Sequence, residues 1–170
     1  MRPFLPSSLG VALIVALWSL GLGWGLAQAS EATRPPEFTV ASLDVVPERF
    51  QLGEQVYLRE CSSCHIAPSP AVMPTQSWGR ILVQEQHYGT QITPLRSPVL
   101  DLVWNYLQFS SRPLRANEEV PQRIDDSRFF RALHPDVDVP RASLASCVSC
   151  HPGATNYNYR ELSPEWQSTP

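Results

Sequence analysis

The sequence predicts a mainly α protein, helical in its first half and largely irregular in its second. Three observations carry that expectation. Apolar side chains recur at helical spacing between Pro47 and Phe109, and again only briefly around Phe129–Leu133. Proline is abundant, 17 in 170 residues, and interrupts the rest of the chain. One five-residue pattern occurs twice, as Cys61-Ser62-Ser63-Cys64-His65 and Cys147-Val148-Ser149-Cys150-His151, so each half holds one copy.

The N-terminus opens with Arg2, continues as an apolar run from Leu9 to Leu26 and ends in Ala27-Gln28-Ala29. A basic start, an apolar middle and an A-x-A ending describe a signal peptide over residues 1–29, cleaved after Ala29. The run is also long enough to span a bilayer, so a retained membrane tether through residues 9–26 is the alternative. Either outcome exports the remainder. Residues 30–46, with Pro35-Pro36 and little periodicity, read as an extended arm.

A helix from Pro47 to Arg59 follows and runs into the first motif, with Gly53, Tyr57 and Cys61 on one stripe. After a Pro-rich loop, Ser77 is expected to cap a helix from Trp78 to about Tyr88, with Gly89 as its stop. Ser97 and Pro98 open a third, to about Phe109, with Val99, Leu100, Val103, Tyr106 and Leu107 on its apolar face. These elements make a first domain over 47–111. The chain turns polar from Arg112 to Gln122, and a second, mostly irregular domain is placed at 112–170. There Asp126 or Ser127 caps a short helix through Phe129, Phe130 and Leu133, ended by Pro135.

C-x-x-C-H is the attachment signature of a c-type haem: two thiols add to the porphyrin edge and the adjacent His reaches the iron. Competing readings fit less well. Four cysteines in an exported chain could form disulfides. A zinc ribbon wants its pairs roughly 15–20 residues apart, far closer than Cys64 and Cys147, and a redox C-x-x-C requires no following His. The pattern therefore predicts two covalently attached haem c groups, on Cys61 and Cys64 and on Cys147 and Cys150, with His65 and His151 as proximal ligands.

The chain has 4 histidines, so His87 and His134 remain. Sequence proximity gives His87 to the first iron and His134 to the second. A lone histidine is ordinarily solvated or hydrogen-bonded, but two unfilled axial positions change that expectation. Met73 sits too close behind His65, in a Pro-rich loop, and reads as packing. The chain has no Lys to compete. Two imidazoles per iron give low-spin, six-coordinate haem with no position left for substrate, and a lower potential than Met/His ligation. That is chemistry for moving electrons and not for an enzyme.

All 13 basic residues are Arg, against 16 acidic ones, for a formal charge of −3. An acidic surface excludes nucleic acid as partner. Arg80, Arg96, Arg123, Arg128, Arg131 and Arg141 could fork onto haem propionates. Trp78, Tyr157, Tyr159 and Trp166 read as packing on haem or core, with no relay role.

These features resemble the small dihaem cytochrome c family of bacteria, from about Gln55 to the end of the chain. The resemblance rests on C-S-S-C-H with Trp78 downstream, on His87-Tyr88-Gly89, on Phe129-Phe130-Arg131-Ala132-Leu133-His134, and on Cys147–His151 followed by Pro152-Gly153-Ala154. It implies a cytochrome c-like helical N-terminal haem domain, with Gly53 and Tyr57 packed on Trp104 or Tyr106, and a largely irregular C-terminal haem domain. It also implies His87 and His134 as distal ligands, and redox proteins as partners, either cytochromes or a membrane redox complex. The expected location is the periplasm, or a thylakoid lumen in a photosynthetic cell. Two other functions fit the motifs less closely: a small peroxidase-like or ligand-binding enzyme with one openable iron, and an electron-entry subunit of a larger reductase.

Overall fold

The computed structural model describes residues 10–20, 45–135, 137 and 143–167. Residues 10–20 form helix α1, which belongs to a unit of its own and exposes its apolar side chains. Among the described residues no helix is long and apolar enough to cross a membrane. The cleavage point after Ala29 and nearly all of the arm lie outside the described residues.

The second unit is mainly helical. Its frame is α2 (Glu48–Cys61) crossed by α4 (Val99–Ser110), with α3 (Thr75–Val83) also packed on α4. Helix α2 suits its sequence, with Glu48 in its first turn and Arg59 in its last, each favourably placed against the helix dipole. It buries Gly53, Val56 and Tyr57. At Gly53 an added Cβ would lie 2.5 Å from the Leu102 carbonyl oxygen and 2.8 Å from Tyr106 Cβ. The two backbones therefore touch where only glycine fits. Tyr57 meets Tyr106 at 5.6 Å between ring centroids, whereas Trp104 lies over Gly79 on α3.

Helix α3 departs from the sequence expectation at both ends. It starts after Pro74, and Ser77 lies inside it, buried and donating to the Pro121 carbonyl. It stops at Val83 because Gln84, Glu85 and Gln86 are exposed and offer no apolar face to continue it. The next residues form a hairpin instead, β1 (Gln86–His87) antiparallel to β2 (Thr90–Gln91), with His87 opposite Thr90. Tyr88 (φ 50°) and Gly89 (φ 93°) make its two-residue turn. Positive φ at both positions is what such a hairpin demands, so Gly89 serves a turn and not a helix stop.

The later chain is built from short pieces. Ser127 caps α5 (Arg128–Leu133) by accepting from the Phe129 N–H. Helix α6 (Cys147–Cys150) sits between 3₁₀ turns Leu144–Ser146 and Pro152–Asn156, and α7 (Pro164–Gln167) follows. Tyr157 leaves this run and joins the core of Val56, Tyr57, Met73, Trp78, Leu82, Val103, Tyr106 and Leu107. Its hydroxyl hydrogen-bonds the buried Tyr106 hydroxyl at 2.9 Å. Met73 is buried in that core, matching the packing role expected for it.

Candidate haem sites

The last turn of α2 delivers Cys61, and the chain then tightens so that Cys64 and His65 follow on the same corner. Ser62 and Ser63 hydroxyls donate back to the Leu58 and Glu60 carbonyls, closing the helix end. Three aromatic donors hold the loop beyond His65. Tyr159 donates to the Ala67 carbonyl at 2.7 Å, Tyr57 to Pro68 at 2.6 Å and Trp78 Nε1 to Pro70 at 3.0 Å. Each such bond contributes about 1 kcal/mol net.

The hairpin brings His87 over the same corner. The rings of His65 and His87 face one another at 5.9 Å between centroids, 17° from parallel. His65 Nδ1 lies 2.9 Å from the Ile66 carbonyl oxygen. Donation there fixes the tautomer and leaves Nε2 as a bare acceptor. Burial, and secondly the nearby His65, hold the His87 imidazole below its ordinary pKa, in the neutral form that binds metal. Tyr88 packs edge-on against His87 and hydrogen-bonds the Gln122 carbonyl, anchoring the hairpin tip.

The second pair is assembled differently. His134 is the C-terminal cap of α5, with Nδ1 2.9 Å from the Phe130 carbonyl oxygen and its ring against Phe130. His151 follows α6 directly, and its ring stands 6.1 Å from that of His134, at 85°. His151 Nδ1 is buried near the backbone of Tyr159 and Glu161 without a hydrogen bond of ordinary geometry. Burial, and then His134, lower its pKa also.

The donor set suits a porphyrin better than a bare ion. A metal–imidazole bond is about 2 Å long, so two in line, plus the step from each nitrogen to its ring centre, separate the centroids by about 6 Å. Both pairs have that spacing. Among the described residues no group of three or more His, Cys, Asp or Glu side chains is arranged to hold a metal alone. Two imidazoles leave the remaining ligands to be supplied by a macrocycle. All four cysteines are free, and burial pushes the Cys61 thiol up to about 12 and raises Cys147 as well. Burial thus favours the neutral thiol at Cys61 and Cys147, the form that adds S–H across a vinyl group.

Of the arginines read as propionate partners, Arg80 and Arg123 line a cleft of about 290 Å³ together with His87. Arg123 also pairs with Asp125, Arg128 pairs with Glu118, and Arg131 donates to the Asp125 carbonyl. Arg141 lies outside the described residues. Sequence reading missed the hairpin that carries His87, and the reach of Tyr159 to the first motif's loop.

A small helical frame with two haem-attachment motifs defines a c-type cytochrome. The family model for dihaem cytochrome c matches residues 57–159, and the chain belongs to that family. It carries two covalently bound haem c groups and is a haem-based electron carrier that works with redox partners. No curated protein matches the sequence. A solved diheme cytochrome c from Rhodobacter sphaeroides is 27% identical over 64% of this chain and 95% of its own, with a TM-score of 0.48. A second, a crystal structure of DHC purified from Rhodobacter sphaeroides, is 26% identical over 59% and 92%, with a TM-score of 0.44.

Proposed function

We propose that this chain is an exported single-electron carrier whose two haems are both low-spin, low-potential and bis-histidine ligated. His65 and His87 take the first iron and His134 and His151 the second. The observation that carries the reading is the separation of the two ring pairs, 5.9 and 6.1 Å, each the span of one metal between two imidazoles. Haem supplies an iron that changes oxidation state. The residues fix both axial positions so that ligation does not change with it, which keeps reorganisation small and excludes substrate from the metal. Imidazole on both faces places the potentials below those of Met/His haems. Such a carrier accepts an electron from one redox protein and gives it to another, a cytochrome or a membrane redox complex.

Export is supported by the basic, apolar and A-x-A order of residues 1–29 and by the attachment of c-type haem outside the cytoplasm. The periplasm, or a thylakoid lumen, is the corresponding location. Absorption and electron paramagnetic resonance of the oxidised holoprotein test the ligation: two low-spin ferric signals are expected. A dominant high-spin signal from either haem would overturn it.

A further inference from the structure

We propose that Tyr159 carries the electronic coupling between the two iron sites, joining the ring of His151 to the peptide segment that follows His65. The inference rests on the assignment of these two histidines as ligands. The Tyr159 ring lies 5.7 Å from the His151 ring, tilted 67° in an edge contact. Its hydroxyl donates to the Ala67 carbonyl at 2.7 Å. The amide nitrogen of Ala67 is bonded to the Ile66 carbonyl carbon, and the oxygen of that carbonyl accepts from His65 Nδ1 at 2.9 Å. From one ligand to the other the path therefore has one van der Waals step, two hydrogen bonds and otherwise covalent bonds. Electrons tunnel far better through bonds and hydrogen bonds than across gaps, so a path with a single gap couples the two ligands well.

The neighbouring tyrosines lead elsewhere. Tyr157 turns its hydroxyl to Tyr106 and its ring to Tyr57 and Tyr159. Tyr57 reaches the Pro68 carbonyl, but its ring faces Trp78, Tyr106 and Tyr157. Among the described aromatic rings, Tyr159 is the one that touches a ligand of one site and hydrogen-bonds the ligand-bearing segment of the other. In the transfer one electron leaves a ferrous iron, which becomes ferric, and arrives at a ferric iron, which becomes ferrous. No proton moves and no bond is made or broken. Tyr159 is neither oxidised nor reduced.

Pulse radiolysis of the oxidised holoprotein, delivering less than one electron per molecule, reads the redistribution between haems. Tyr159→Phe keeps the ring and loses the hydrogen bond, and should slow redistribution several-fold. Tyr159→Leu loses both, and should slow it by more than an order of magnitude. Both reduction potentials and both low-spin signals should stay as in the unaltered protein, which a merely structural role would not allow alongside a slower rate. An unchanged rate in Tyr159→Phe overturns the route, as does slowing that only follows an altered potential difference. A high-spin signal in the unaltered protein would instead overturn the bis-histidine reading at His87 or His134 and leave the route between His65 and His151 standing, so the two failures are told apart.

Discussion

The rings of His65 and His87 lie 17° from parallel, whereas those of His134 and His151 stand at 85°, although the two pairs are almost equally spaced. Spacing is what a shared metal would dictate. Orientation is set by whatever holds the far side of each ring. In the first pair, one ring is tied to the Ile66 carbonyl and the other is fixed by a two-residue hairpin. In the second, one ring is tied back into α5 at Phe130 and the other is braced by Tyr159. One attachment motif thus comes with two different ring-pair geometries, because His87 arrives on a strand and His134 at a helix end.

Ring orientation matters to the iron. Parallel imidazole planes split the two d orbitals that bond with the ligand π systems, and perpendicular planes leave them nearly equal in energy. The largest break of the comparison is loss of a distal ring. His87→Ala should turn the first haem high-spin and raise its potential while the second keeps its spectrum, and His134→Ala should do the reverse. Optical redox titration of each variant checks this, and an unchanged spectrum in either would sink that ligand assignment. In the unaltered ferric protein, paramagnetic resonance should show one rhombic low-spin signal from the first site and one highly anisotropic signal from the second. Two identical signals would count against the difference in ring planes.

Smaller perturbations should separate frame from site. Gly53→Ala forces α2 away from α4 at the Leu102 carbonyl and should cost about 1–3 kcal/mol in thermal unfolding. Ser127 is fully buried, and Ser127→Ala removes the cap of the helix that ends in His134, at about 1 kcal/mol. It should broaden the signal of the second haem alone. Tyr88→Phe releases the hairpin tip from Gln122 for about 1 kcal/mol and should affect only the first. If Ser127→Ala disturbed the first haem as much as the second, the separate anchoring of the two rings would be disproved.

Local signals were readable in the sequence, and reach across the chain was not. The attachment motifs are covalent patterns of five residues, and α2 and α4 follow from apolar stripes, of which the structure buries Gly53, Tyr57, Val103, Tyr106 and Leu107 and half-buries Cys61, Val99 and Leu100. His87 could be singled out because so few histidines exist, but the strand beneath it could not. Tyr88-Gly89 suits a helix stop as well as a tight turn, and only the failure of apolar spacing after Val83 separates the two. Tyr157 and Tyr159 carry no local mark of their destinations. Their hydroxyls find Tyr106 and Ala67 only once the chain has folded back. The cap of α5 was narrowed to Asp126 or Ser127, and packing chose Ser127 because its hydroxyl could be buried without an unpaired charge.

The clasp on the Ala67–Pro70 loop carries one more consequence. Two of its three donors precede the second motif in the chain, and the third, Tyr159, comes after it. A ribosome therefore emits the loop long before the residue that finishes fastening it. The loop behind the first motif can therefore be held early by Tyr57 and Trp78, but its third fastening waits until Tyr159 has been made and folded back.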